Sequence, residues 1–313
     1  MTIRKLMKFP VHHPCTMILV ANLIWGASAP ITKITLVEIS PSTFLFLRMF
    51  MGTIILLPFA WVYRVKMTMH EQLFVFLSGF FGVFLNIILF YGGMPAIPSI
   101  NAPMIGAIGP LMLALLARVL LKERLSSPKY IGMGLGFVGV LCISVLPILF
   151  PTATDVLGIQ SVFGTSPLMG NIAMVLATLS GVLGVLFIKP ITHIPGHIIA
   201  FWQFAISSAF AFPLALSEGI STQIHAIGFN SAIGIVYAGL LSSVVAYTLY
   251  NQGLHRIAAS ESSLFSYISP IAAVVVAVPL LHEYPSRWFI IGSILVAFGV
   301  WVAERRHNAK SAC

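Results

Sequence analysis

The sequence predicts an all-α integral membrane protein with ten transmembrane helices arranged as two inverted five-helix repeats. Three observations lead there. Of 313 residues, 58% are hydrophobic and 8% charged, and the mean hydropathy is +1.00, far more apolar surface than a soluble core of this size hides. Runs of the ~20 apolar residues that carry a helix across a ~30 Å hydrocarbon layer recur along the chain, without the period-two alternation of a membrane barrel. The chain also aligns with itself.

The spans are placed near 16–37, 41–63, 71–93, 99–121, 128–150, 167–188, 197–217, 229–253, 260–281 and 286–304. The first follows a basic tail. Its Ala27-Ser28-Ala29 imitates a signal-peptidase site, but Pro30 follows directly and the apolar run continues, so the segment reads as a retained helix. The second, fifth and sixth open at Ser40-Pro41, Ser127-Pro128 and Ser166-Pro167, where a capping hydroxyl precedes a proline whose missing N–H is harmless in the first turn. The fourth and ninth carry Pro110 and Pro270 mid-span, where each is expected to free a carbonyl and kink the helix. The fifth holds Gly134-Leu-Gly136-Phe-Val-Gly139, a G-x-G-x-x-G by letter only, since no strand precedes it and no ribose-binding acid follows. Gly132 and Gly136, with Gly292 and Gly299, instead suggest close packing of the fifth helix on the tenth.

The net charge of +9 is a matter of topology, so no nucleic-acid partner is implied. With a cytoplasmic N-terminus, thirteen basic residues fall inside: Arg4, Lys5, Lys8, Arg64, Lys66, Lys122, Arg124, Lys129, Lys189, Arg256, Arg305, Arg306 and Lys310. Arg287 alone falls in an outside loop, with Lys33, Arg48 and Arg118 in or near helix ends. The positive-inside rule then puts both termini in the cytoplasm of an inner-membrane protein and the 151–166 loop outside. Cys15, Cys142 and Cys313 offer no plausible pair under this topology, so no disulfide is expected.

A shift of 160 residues aligns 89–140 with 249–300 at fifteen identities in fifty-two positions. The informative ones are Gly93/Gly253, Pro110/Pro270, Glu123/Glu283, Gly132/Gly292 and Gly139/Gly299. A shift of 155 pairs Gly26 with Gly181, Phe46 with Phe201 and Pro58 with Pro213. The repeats are 16–150 and 167–306. Five spans per half is an odd number, so the second half sits upside down, the usual plan of alternating-access transporters.

The stretch Trp25-Gly26-Ala27-Ser28-Ala29-Pro30 with Lys33, Arg48 in the second span, and the paired Pro110…Glu123 and Pro270…Glu283 segments resemble the EamA family of the drug/metabolite transporter superfamily over nearly the whole chain. The resemblance implies a ten-span secondary carrier whose two repeats line a central cavity and which exports small metabolites such as amino acids. It names no substrate.

Lys33 and Arg48 are charges within apolar spans and need a reason. One reading is a basic mouth for carboxylates; the other has Lys33 snorkelling to the interface and Arg48 pairing with Glu38 or backbone carbonyls. Asn86, Tyr91, Tyr247, Tyr250, Asn251 and Gln252 gather hydrogen-bonding groups among aromatics, suited to a mixed apolar and polar ligand, although Tyr belts and helix-gluing Asn are ordinary in membranes. Pro110 and Pro270 are the candidate gating residues. Glu261 could carry a coupling proton or simply sit in a first helical turn, and Glu123 and Glu283 are expected to organise turns. Pro195-Gly196 separates His193 from His197, so no metal is expected, and no cofactor motif or nucleophile–base constellation appears. The partners implied are a small-molecule substrate and the bilayer, with the chain acting as a monomer. A channel or membrane-embedded enzyme is the alternative.

Overall fold

A computed structural model describes residues 13–62, 65–120, 127–150, 166–191, 193–254 and 265–304. The charges at Arg4, Lys5, Lys8, Arg64, Lys122, Arg124, Arg256, Arg305, Arg306 and Lys310, the acids Glu123 and Glu261 and nearly all of the 151–166 loop lie outside them. The described chain is all-helical. The helices are α1 (Pro14–Thr35), α2 (Pro41–Val62), α3 (Met69–Ala96), α4 (Asn101–Gly106), α5 (Gly109–Leu120), α6 (Ser127–Ser144), α7 (Pro167–Ile188), α8 (Gly196–Ser217), α9 (Phe229–Leu254), α10 (Ile268–Leu281) and α11 (Arg287–Glu304). Among the described residues, seven helices are long and apolar enough to cross a membrane, and Asn101–Leu113, Phe265–Leu281 and Arg287–Gly299 are shorter apolar ones.

Local sequence explains several boundaries. Ser166 Oγ accepts the Met169 N–H at 3.3 Å ahead of Pro167, the expected hydroxyl-then-proline start. The start of α3 is a capping box, with Thr68 and Glu71 exchanging side-chain and backbone bonds. Its T-x-x-E spelling is present in the sequence at Thr68 and Glu71. Two helices contain π-helical stretches, Phe80–Leu85 in α3 and Tyr237–Val245 in α9, where one extra residue per turn leaves carbonyls offset from the regular ladder.

Two expectations need correction. Pro110 is not mid-helix: α4 ends at Gly106, Ala107 and Ile108 form a turn, and Pro110 is the second residue of α5. Pro270 is the third residue of α10, behind a 3₁₀ turn at Phe265–Tyr267. Both prolines sit in a first turn, where the missing N–H breaks nothing. Of the cysteines expected to stay unpaired, Cys142 is a free thiol, and Cys313 lies outside the described residues.

Packing joins distant parts of the chain. The most extensive contacts pair α7 with α3, α6 with α11, α2 with α8 and α1 with α9. The α6/α11 seam is a glycine contact: a Cβ on Gly139 would stand 2.7 Å from the Gly292 carbonyl oxygen, and one on Gly299 would stand 2.7 Å from that of Gly132. Only hydrogen side chains let these backbones meet, as the small-residue pattern implied. The outer surface is apolar, with Phe137, Ile294 and Val275 each more than 60% exposed. Such a surface belongs in lipid, and the molecule is a multi-pass membrane protein.

Candidate functional site

Call the end of the bundle where α1 finishes and α2 begins the Lys33 end, and the end where α9 finishes the Asn251 end. Between them lies a cavity of about 320 Å³. Its walls are Trp25 and Ser28 of α1, Asn86 and Phe90 of α3, Ala102 and Pro103 of α4, Pro110 and Leu113 of α5, a stripe of α7 from Met174 to Ile188, and Tyr247, Tyr250 and Asn251 of α9. Gly82 and Gly184 also line it, and a Cβ on Gly82 would come 2.9 Å from the Gly184 Cα. The wall there is bare backbone.

Arg48 is the only charged side chain among the described lining residues. It is 4% exposed, in a place where an unsupported cation is costly. Support comes from hydroxyls. Its Nε–H donates to Ser243 Oγ at 2.7 Å, Nη1 to the Tyr91 hydroxyl at 2.7 Å, and Nη2 to Ser242 Oγ at 2.9 Å and Ser242 O at 3.3 Å. Both serines lie in the π-helical stretch of α9, which turns them toward α2. Tyr91 is fully buried and stacked on Phe44 at 4.6 Å, so its phenol is fixed. Four hydrogen bonds thus hold a group with five N–H donors in one plane. No described carboxylate pairs with it: Glu38, the partner considered from sequence, accepts the Gly228 N–H at 2.8 Å instead.

The remaining predicted residues divide. Asn86 lines the cavity and donates to the Ala177 carbonyl at 2.7 Å. Tyr247 lines it between Trp25 at 5.1 Å and Phe204 at 5.3 Å, both edge-on, and Tyr250 tilts on Trp25 at 5.1 Å. Asn251 is 1% exposed, its Nδ2 donates to Gln203 Oε1 at 3.3 Å, and its Oδ1 is buried without a partner. Tyr91 is a support behind the wall, and Gln252 is partly buried outside the lining. Pro110 lines the cavity, whereas Pro270 lies just behind its neighbour Ser269. Lys33 is elsewhere: its Nζ makes a 2.7 Å ion pair with Glu283 Oε1 and donates to the Ile97 carbonyl at 2.8 Å.

Gln203 was missed. It lines the cavity, is 1% exposed, and its Nε2 approaches Ser78 Oγ at 3.4 Å. An amide in the middle of the apolar run 196–217 was a signal of the kind that singled out Asn86. His193 pairs with Glu71 at 2.6 Å.

The fold and site define the class first: a membrane protein, all-helical in its described residues, enclosing a mixed apolar and polar cavity lined by the buried cation Arg48. The particular family follows from comparison. The EamA-like transporter family matches residues 14–145 and 168–304, and this chain belongs to that family of transporters. The uncharacterized transporter YyaM of Bacillus subtilis is 26% identical over 92% of each chain. A probable terminal-alkyne amino-acid exporter of Streptantibioticus cattleyicolor is 25% identical over 70% of this chain and 68% of its own. A protein of known crystal structure shares the fold with a TM-score of 0.66, at 18% identity, over 96% of this chain and 99% of that one.

Proposed function

We propose that this EamA-family transporter is a secondary carrier that exports small amino-acid-like metabolites by alternating access, with residues 16–150 and 167–306 as inverted repeats and both termini in the cytoplasm. The observation that carries the reading is Arg48, a buried guanidinium held by hydroxyls and lacking any described carboxylate, at the edge of a cavity whose other described lining residues are uncharged. Its charge is left for a ligand. A carboxylate fits that role, since an anion facing a pre-oriented guanidinium in a water-poor site gains a strong charge-assisted bond. The aromatic wall of Trp25, Tyr247 and Phe90 suits an apolar side chain. Asn251 Oδ1 and Gln203, toward the Asn251 end, offer polar contacts to an ammonium.

Support for the repeat comes from its recurrence at several levels. The two family matches flank the polar loop, the two π-helical stretches overlap under the 160-residue shift, and Pro110 and Pro270 each sit in the first turn of a helix. Broken helices beside a central site are where carriers bind and pivot. The amino-acid class is also that of the S. cattleyicolor relative by its name.

Counterflow in proteoliposomes tests the reading: labelled amino acid should accumulate against an unlabelled internal pool. Arg48→Ala should raise the half-saturating concentration about tenfold or more, the scale of one charge-assisted bond, without abolishing folded yield. Conductance without counterflow would indicate a channel, and a chemically altered solute an enzyme.

A further inference from the structure

Glu283 stands in the short link between α10 and α11, only 9% exposed, and both of its oxygens are engaged by the other half of the chain. Oε1 pairs with Lys33 of α1 at 2.7 Å. Oε2 accepts the Ser99 N–H at 2.7 Å and the Ser99 hydroxyl at 2.6 Å. Lys33 in turn holds the Ile97 carbonyl at 2.8 Å. One carboxylate therefore clasps both the end of α1 and the link between α3 and α4.

The position of this clasp gives it a use. It lies at the Lys33 end, above a layer in which Ile97, Ser99, Ile100 and Ala102 are each no more than 3% exposed, and Ala102 is already cavity wall. For the cavity to open at this end, α1 and the α3–α4 link must part from the α10–α11 link. The contacts that would break are those of Lys33, Ser99 and Glu283. A surface ion pair contributes little either way, but breaking a buried pair exposes two charges that need new solvation. A place for that solvation adjoins the pair. Glu283 borders a second cavity of about 70 Å³, which is also lined by Ser144 and Asn171. Ser144 Oγ and Asn171 Oδ1 are buried there without partners, and a polar space of that size holds water.

We propose that Lys33 and Glu283, with Ser99, form a latch that keeps the Lys33 end shut and must separate in every transport cycle. The proposal rests on the alternating-access reading above. Lys33 is then a positioning residue of the gate and contacts no substrate.

The experiment uses the full chain in proteoliposomes, with Cys15, Cys142 and Cys313 replaced and one probe introduced by Ala102→Cys. Its labelling rate by a membrane-impermeant maleimide is compared from the two sides. Glu283→Gln and Lys33→Gln should each raise the ratio of labelling from the Lys33 end to labelling from the Asn251 end, by about tenfold for a ~1.4 kcal/mol bias between open states. The double exchange Lys33→Glu with Glu283→Lys should return the ratio toward the parent value. A ratio unmoved by either neutralisation, or moved but not restored by the exchange, overturns the latch. If neither neutralised variant folds, Ser99→Ala carries the test, because it removes one hydrogen bond and keeps both charges; a smaller shift in the same direction is expected, and none overturns the proposal. Counterflow by the unsubstituted chain is read alongside. Exchange with an unmoved ratio sinks the latch alone, whereas no exchange removes the carrier reading on which it stands.

Discussion

A cation in an apolar helix must find partners, and the two basic residues of α1 and α2 find different kinds. Lys33 meets a carboxylate and a carbonyl, so its charge is neutralised within the protein. Arg48 meets three hydroxyls and a carbonyl, which satisfy its N–H groups and leave its charge in place. The sequence singles out both residues but cannot tell them apart, because Lys33 and Glu283 are 250 positions apart and Arg48 and Ser243 195. The support of Arg48 gives a prediction at this scale. Tyr91→Phe keeps the ring stacked on Phe44 and removes only the hydroxyl, stranding one guanidinium N–H in a fully buried place. Thermal unfolding in detergent should report a loss of about 1–3 kcal/mol. Arg48→Lys should weaken counterflow nearly as much as Arg48→Ala, since a lysine keeps the charge but loses the planar fork. Full activity in Arg48→Lys would mean that charge alone suffices.

At the scale of elements, hydropathy and the hydroxyl-proline starts placed the apolar helices well, and most limits lie within a few residues of the expected ones. The internal breaks were less legible. A turn at Ala107–Ile108 inside a continuous apolar run has no polar punctuation, so Pro110 read as a kink in one helix when it opens a second. The π-helical stretches leave no pattern in composition: the one in α9 carries Ser242 and Ser243, which reach Arg48 across the molecule. Glycine seams fared better, since small residues at helical spacing state their purpose directly. Gly292→Leu should therefore be severe. Its side chain would enter the space of Gly139 and Ile143, and overpacking costs typically about 1–3 kcal/mol or more where backbone is the obstacle. Folded yield on size exclusion should fall sharply for Gly292→Leu and less for Gly134→Leu, whose Cβ meets nothing within 4 Å. Equal losses would show that the seam is not specific.

The whole molecule is assembled across its halves. Each of the most extensive helix contacts, α7 with α3, α6 with α11, α2 with α8 and α1 with α9, joins residues before 150 to residues after 166. Arg48 and Lys33 likewise rely on hydroxyls and a carboxylate from the other half. The self-alignment is visible in the sequence, but this interlocking is not, since identity at a fixed shift does not say which segments pack together. A half alone would expose the Gly139 or Gly292 seam and strand a buried cation or its partner. That leads to a prediction about the molecule as a unit. Residues 1–155 and 156–313, expressed as separate chains in one cell, should associate in the membrane, co-purify and restore counterflow, because helices inserted independently can still find their packing partners. Expressed singly, each half should be degraded or elute as a heterogeneous species. Two halves that are stable apart and do not associate would contradict an interlocked core and would require the cavity to be built within one repeat.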